Sequence, residues 1–86
     1  MNYQIIIAKS VQKQLDILLE TIKKRIGQKL LLLTNDPRPP GTVKLKNSSQ
    51  EYRLRVGNYR IRYEINDSEN IVRILQCKHR REVYRP

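Results

Sequence analysis

Four arginines stand at alternate positions in residues 51–65, EYRLRVGNYRIRYEI. Arg53 and Arg55 precede a Gly57-Asn58 pair, and Arg60 and Arg62 follow it. Alternation of this kind is the mark of a strand, whose successive side chains point to opposite faces. A Gly-Asn pair between two such runs is a two-residue hairpin loop. The loop length sets the register: Val56 opposite Tyr59, Arg55 opposite Arg60, Leu54 opposite Ile61, Arg53 opposite Arg62. Both apolar rows then fall on one side, and the four guanidinium groups fall on the other. Like charges directly opposite on a sheet are unfavourable, in a setting where a good cross-strand pair is worth only roughly 0.2–1 kcal/mol. The planar guanidinium fork binds phosphate oxygens bidentately, so a polyanion is the ligand this face suits. The plainer alternative is a solvated basic surface.

The other side chains narrow the chemistry. The chain has one His, one Cys and three scattered glycines. No His, Cys or carboxylate cluster has metal-ligand spacing, and no glycine loop could cradle a phosphate. A Ser-His-Asp or Cys-His set is not available. No cofactor and no metal are expected. What remains is guanidinium and ammonium groups, His79 and five tyrosines. That inventory suits cleavage of RNA, which carries its own nucleophile in the 2′-hydroxyl. Cations stabilise the charge that develops on phosphorus. A tyrosine beside several guanidinium groups has its phenolate favoured, so it is a candidate base.

Composition agrees. The formal net charge is +10 over 86 residues, with a pI near 10.2. The excess is spread out: residues 1–50 hold nine Lys and Arg against three Asp and Glu, and residues 51–86 hold nine against five. This predicts an anionic partner, nucleic acid or an acidic protein. The length suits one domain over residues 1–86 with a modest core, aliphatic plus Tyr because Trp and Phe are absent. Cys77, in the apolar run IVRILQC, reads as a small core residue. No stretch approaches the ~20 apolar residues that span a bilayer, and the first residues do not read as a signal peptide. A cytoplasmic setting is the expectation.

The elements that must position the arginines follow from periodicity. Residues 3–8, YQIIIA, predict a first strand. Ser10 is a candidate cap for a helix whose stripe is Val11, Leu15 and Leu18. A second stripe is Ile22, Ile26, Leu30 and Leu33, with a turn near Leu19 to Thr21. Lys23, Lys24, Arg25 and Lys29 decorate that helix and read as a solvated surface. The segment NDPRPPG is a connector that no helix can cross. VKLK, residues 43–46, predicts a short strand or an extended arm on which Lys44 and Lys46 share a face. Ile71 to Cys77 is apolar on both faces apart from Arg73 and Gln76, as in a strand buried within a sheet. Strands segregated after helices indicate α+β. The hairpin's apolar face goes under the helices, and its arginine face stays open.

The connector, then KLK, YRLRVGNYRIRYEI and finally HRREVYR resemble the RelE/ParE superfamily of small bacterial toxins across nearly the whole chain. The resemblance implies a RelE-like fold: two N-terminal helices packed on a curved, mainly antiparallel four-stranded sheet. It implies a cognate antitoxin protein as partner. The sequence looks more like the RelE branch, whose members cut mRNA in the ribosomal A site without metal. That branch implies mRNA and the ribosome as further partners. By the motif, Arg60 lies beside the transferred phosphate, and Arg53 and Arg55 occupy the two basic positions of the first hairpin strand. Arg80 matches a general acid or leaving-group stabiliser, with Arg81 one position on. Tyr84 matches the tyrosine that stacks on the base and is a candidate general base. Arg62, Lys44, Lys46, His79 and Arg81 are expected to contact RNA, and His79 is an additional acid or base candidate. The best-known members have lysines where this chain has Arg53 and Arg55, and an arginine does not readily give up a proton. The alternative is a ParE-like poison of DNA gyrase that does not cut RNA. A non-catalytic RNA-binding module is a third reading, from composition alone.

Overall fold

The computed structural model describes residues 2–46 and 50–83; Tyr84 lies outside them. The order is β1 (Gln4–Ile7), α1 (Lys9–Asp16), α2 (Glu20–Leu32), β2 (Val43–Lys44), β3 (Glu51–Val56), β4 (Tyr59–Asn66), β5 (Ile71–His79) and α3 (Arg80–Val83). The strands form one sheet in the order β1-β5-β4-β3-β2. β1 runs parallel to β5, and the other three pairings are antiparallel. The class is therefore α+β as expected. The strand count exceeds the expected four because two-residue β2 pairs onto β3, through Val43 opposite Arg53 and Lys44 opposite Tyr52.

Both helices cover one face of the sheet, α1 over β5 and α2 over β3. The stripes from the helices meet Leu54, Ile61, Tyr63, Ile65, Val72, Ile74 and Cys77 in one core. Ile61 is fully buried, and burying a side chain of that size stabilises by about 1.5–3 kcal/mol. Two expectations are corrected at the helix ends. Ala8, not Ser10, occupies the cap position of α1, and no side chain caps it. β1 runs straight into the helix, so the Ala8 carbonyl accepts the first helical bond from Gln12 N–H at 2.9 Å. The turn between the helices falls at residues 17–19, slightly earlier than expected. Leu18 N–H folds back to the Leu15 carbonyl at 3.1 Å, tightening the last turn of α1. Ile17 and Leu19 are left 84% and 72% exposed.

The hairpin register is the expected one at all four positions. Gly57 has φ +58°, and Asn58 has no positive φ, the pattern of a loop that needs glycine at its first position. β5 holds an irregularity the alternation did not foresee. Arg62 pairs with Gln76 while Tyr63 pairs with Ile74, so Leu75 is an extra residue in β5. This bulge puts Cys77, Ile74 and Val72 all into the core, although the first two are three residues apart.

Tyr63 fixes the connector. Its ring is buried, and its hydroxyl donates to the Pro37 carbonyl at 2.8 Å. Burial raises the Tyr63 pKa, which keeps the phenol protonated as that donor.

Candidate functional site

The face of the sheet away from the helices carries Arg53 on β3, Arg60 and Arg62 on β4, and Gln76 and Lys78 on β5. With Leu45, these residues line a shallow depression of about 140 Å³. Register explains the set. Arg53 pairs with Arg62, Arg62 with Gln76, and Arg60 with Lys78. Arg60 thus has a cation beside it on both neighbouring strands, Arg55 and Lys78. Its side chain is half-buried, with Nη1 withdrawn from solvent.

Charge is graded along this face. Away from the hairpin loop, Arg62 Nε lies 3.6 Å from Glu51 Oε1, and Arg73 Nη1 lies 3.7 Å from Glu64 Oε1. Such part-exposed pairs are worth about 0–1 kcal/mol each. Nearer the loop the lining holds cations and no carboxylate. A phosphate there would meet preorganised guanidinium forks from two strands and an ammonium from a third.

The structure separates residues the sequence grouped. Arg55 does not line the depression; its Nε donates to the Gly57 carbonyl at 3.0 Å, at the hairpin tip. Lys44 is exposed and opposite Tyr52, which puts it on the helix side of the sheet edge; Leu45 reaches the depression instead. Lys46 follows β2 in an exposed turn. His79 also faces the helices. It pairs with Tyr59, its ring edge-on at 5.2 Å, beside Gln14 and Leu18 of the α1 side. Its Nδ1 accepts the Arg81 N–H at 3.2 Å, which assigns the proton of the neutral ring to Nε2. Arg80 and Arg81 are exposed on α3, whose start is tied to the hairpin loop by Arg80 N–H to the Asn58 carbonyl at 2.7 Å. Tyr84 lies outside the described residues.

Lys78 and Gln76 were missed in the sequence. The signal was there, because β5 must run beside the arginine-bearing strand, and residues two apart share a face. Among the described residues no group of three or more His, Cys, Asp or Glu could hold a metal ion. No described helix is long and apolar enough to cross a membrane.

The chain thus presents an open cationic sheet face on a small α+β scaffold. Residues 5–84 match the family model described as the ParE toxin of type II toxin-antitoxin system, parDE. The chain belongs to this RelE/ParE superfamily of toxins. Among solved structures, the archaeal RelE-RelB complex from Pyrococcus horikoshii OT3 is 30% identical with a TM-score of 0.85, covering 93% of this chain and 97% of that one. The RelB-RelE complex from Methanococcus jannaschii is 29% identical with a TM-score of 0.75, covering 94% and 99%. A double mutant of E. coli RelE in the free state is 25% identical with a TM-score of 0.78, covering 98% and 92%. No match is found among the curated proteins.

Proposed function

We propose that this toxin is an endoribonuclease that stops translation by cutting mRNA in the ribosomal A site, with no metal in the reaction. The observation that carries the reading is the depression lined by Arg53, Arg60, Arg62 and Lys78 on the open face. In the step proposed, the 2′-oxygen attacks the adjacent phosphorus and the bond from phosphorus to the 5′-oxygen breaks. The 2′-hydroxyl proton passes to a base, for which Tyr84 is the candidate, and the 5′-oxygen takes a proton from water. The products are a 2′,3′-cyclic phosphate and a 5′-hydroxyl. Arg60 and Arg53 hold the phosphate oxygens as charge builds on them. Arg80 stabilises the leaving oxygen as a cation, since arginine is a poor proton donor. Arg55, Arg62, Arg81, Lys44 and Lys46 add to attraction for the RNA backbone.

The RelB-bound relatives support a further part of the proposal. In the cytoplasm a cognate antitoxin neutralises the toxin, and an acidic segment of it covers the basic face. A complex with that face open to solvent would contradict this.

Cleavage is tested by inducing Arg60→Ala combined with Tyr84→Ala. Cleavage of ribosome-bound message and growth arrest should both disappear; arrest that persists rejects the assigned chemistry. The ParE description of the matching family model favours a second reading, gyrase poisoning. The Arg80 and Tyr84 match to the RelE motif weighs against it. Mapping new RNA 5′ ends after induction separates the two: a DNA-damage response with intact message supports the gyrase reading.

A further inference from the structure

Arg55, turned away from the depression, leads to a second cationic site. A cavity of about 310 Å³ lies between α2 and the hairpin tip, lined by Arg25, Gln28, Lys29, Arg55 and Gly57 among others, with no carboxylate. Its construction follows from the chain. Arg25 and Lys29 are four residues apart, so they share one flank of α2. The helix sits over β3. β2 pairs only with Tyr52 and Arg53, which leaves the β3 edge from Leu54 to Val56 uncovered beside that flank. Gly57 bears no side chain, and the Arg25 guanidinium lies over it, Nη2 standing 3.6 Å from where a Cβ would be. Lys23 differs, since it is engaged with Asp16 at 3.5 Å. No side-chain hydrogen bond or ion pair engages Arg25 or Lys29 among the described residues.

A neighbouring cavity of about 360 Å³ shares Arg25, Val56 and Gly57 and is completed by Ile22, Ile26, Asn58 and Tyr59. The polar wall of the first hollow is mainly cationic and the second adds Ile22, Ile26 and Tyr59, which suits a nucleotide with its phosphate in the first and its base in the second. Guanidinium planes also stack on bases. Arg55 stands directly opposite Arg60 across the hairpin, so the two sites are joined by adjacent strands.

We propose that the RNA strand held on the arginine face continues around the hairpin tip, and that Arg25, Lys29 and Arg55 bind its next phosphates. This inference rests on the RNA reading above but concerns binding, not cleavage. The site lengthens the contacted strand, so it acts only on substrates long enough to reach it.

The test uses the full chain and fluorescein-labelled 2′-O-methyl RNA, which lacks the nucleophile and is not cut. A trinucleotide and an oligonucleotide several times longer are titrated at a series of salt concentrations. Arg25→Gln with Lys29→Gln should leave trinucleotide binding unchanged. For the longer strand it should reduce the magnitude of the slope of log K against log salt by about 1.4, from two contacts at about 0.7 each. Lys9→Gln with Lys13→Gln removes the same charge from α1 and should change neither slope. Equal losses in the two double variants, or an unchanged slope for the longer RNA, overturn the second site. So does a loss seen only with a Glu-rich peptide, which would assign the cavity to a protein partner. If neither RNA binds the parent chain, the RNA reading falls as well; if only the length-dependent gain ignores Arg25 and Lys29, the second site alone falls.

Discussion

At the end of the sheet away from the hairpin loop, the exposed Arg38 is engaged by several partners. It donates to Asp67 Oδ2 at 2.8 Å and to the Tyr52 hydroxyl at 3.1 Å, with its guanidinium carbon 5.1 Å from the Tyr52 ring centre. Asp67 also accepts the Tyr3 hydroxyl at 2.6 Å. At the loop end, Arg53, Arg60 and Lys78 line a depression without a carboxylate. One residue type serves two purposes, and the difference lies in the neighbours. Arg38 ties the connector to the β4–β5 turn, its charge matched by a carboxylate. The loop-end cations face one another, an arrangement that costs stability by itself and is relieved by an anion.

The sharpest break of this comparison is Arg60→Ala. If Arg60 holds the reacting phosphate as proposed, its loss should lower the cleavage rate on ribosome-bound message by about 10²–10³ while leaving the melting temperature near that of the parent. The opposite end should respond the other way. Tyr63→Phe leaves the Pro37 carbonyl without its buried donor and should cost about 1–3 kcal/mol in urea unfolding, with the RNA ends unchanged. Between these extremes lies Arg62, paired with Glu51. Arg62→Gln should cost no more than about 1 kcal/mol of stability. It should reduce cleavage far less than Arg60→Ala; an equal loss would place Arg62 on the reacting phosphate.

The smallest effect is a pH dependence at Asp67. The hydrogen bond from Arg38, then that from Tyr3, holds its carboxyl below the ordinary value. A carboxyl depressed in the folded state stabilises fully above its unfolded pKa, about 3.9, and loses that contribution as pH falls through the folded value. Asp67→Asn should therefore melt lower than the parent at neutral pH, and the gap should close in acid. A gap that stays constant across that range would assign the loss to the altered hydrogen bonds rather than the charge.

Much of this was legible because it is local. The alternation around Gly57-Asn58 dictated register, and the apolar rows dictated which side the helices cover. Leu75 was not legible: its bulge follows from fitting Val72, Ile74 and Cys77 under α1 while Arg62 stays paired with Gln76. The apolar run in β5 hid this, because side chains apolar on both faces carry no alternation to interrupt. Lys44 misled for a related reason. VKLK alternates whichever way it faces, and only its pairing with Tyr52 and Arg53 shows that Leu45 joins the arginines.

The hairpin, the two helical stripes, the cationic face and the resemblance to this toxin superfamily can all be read along the chain. These depend on periods of two and 3.6 residues and on loop chemistry, which a chain carries along its length. Which cations meet depends on how distant segments pack. That packing brought Lys78 beside Arg60, turned His79 toward the helices, engaged Arg38 with Asp67, and set Arg55 with Arg25 and Lys29 at the hairpin tip. A side chain's partners across strands and helices are set by register and packing between distant segments, and no local period encodes them.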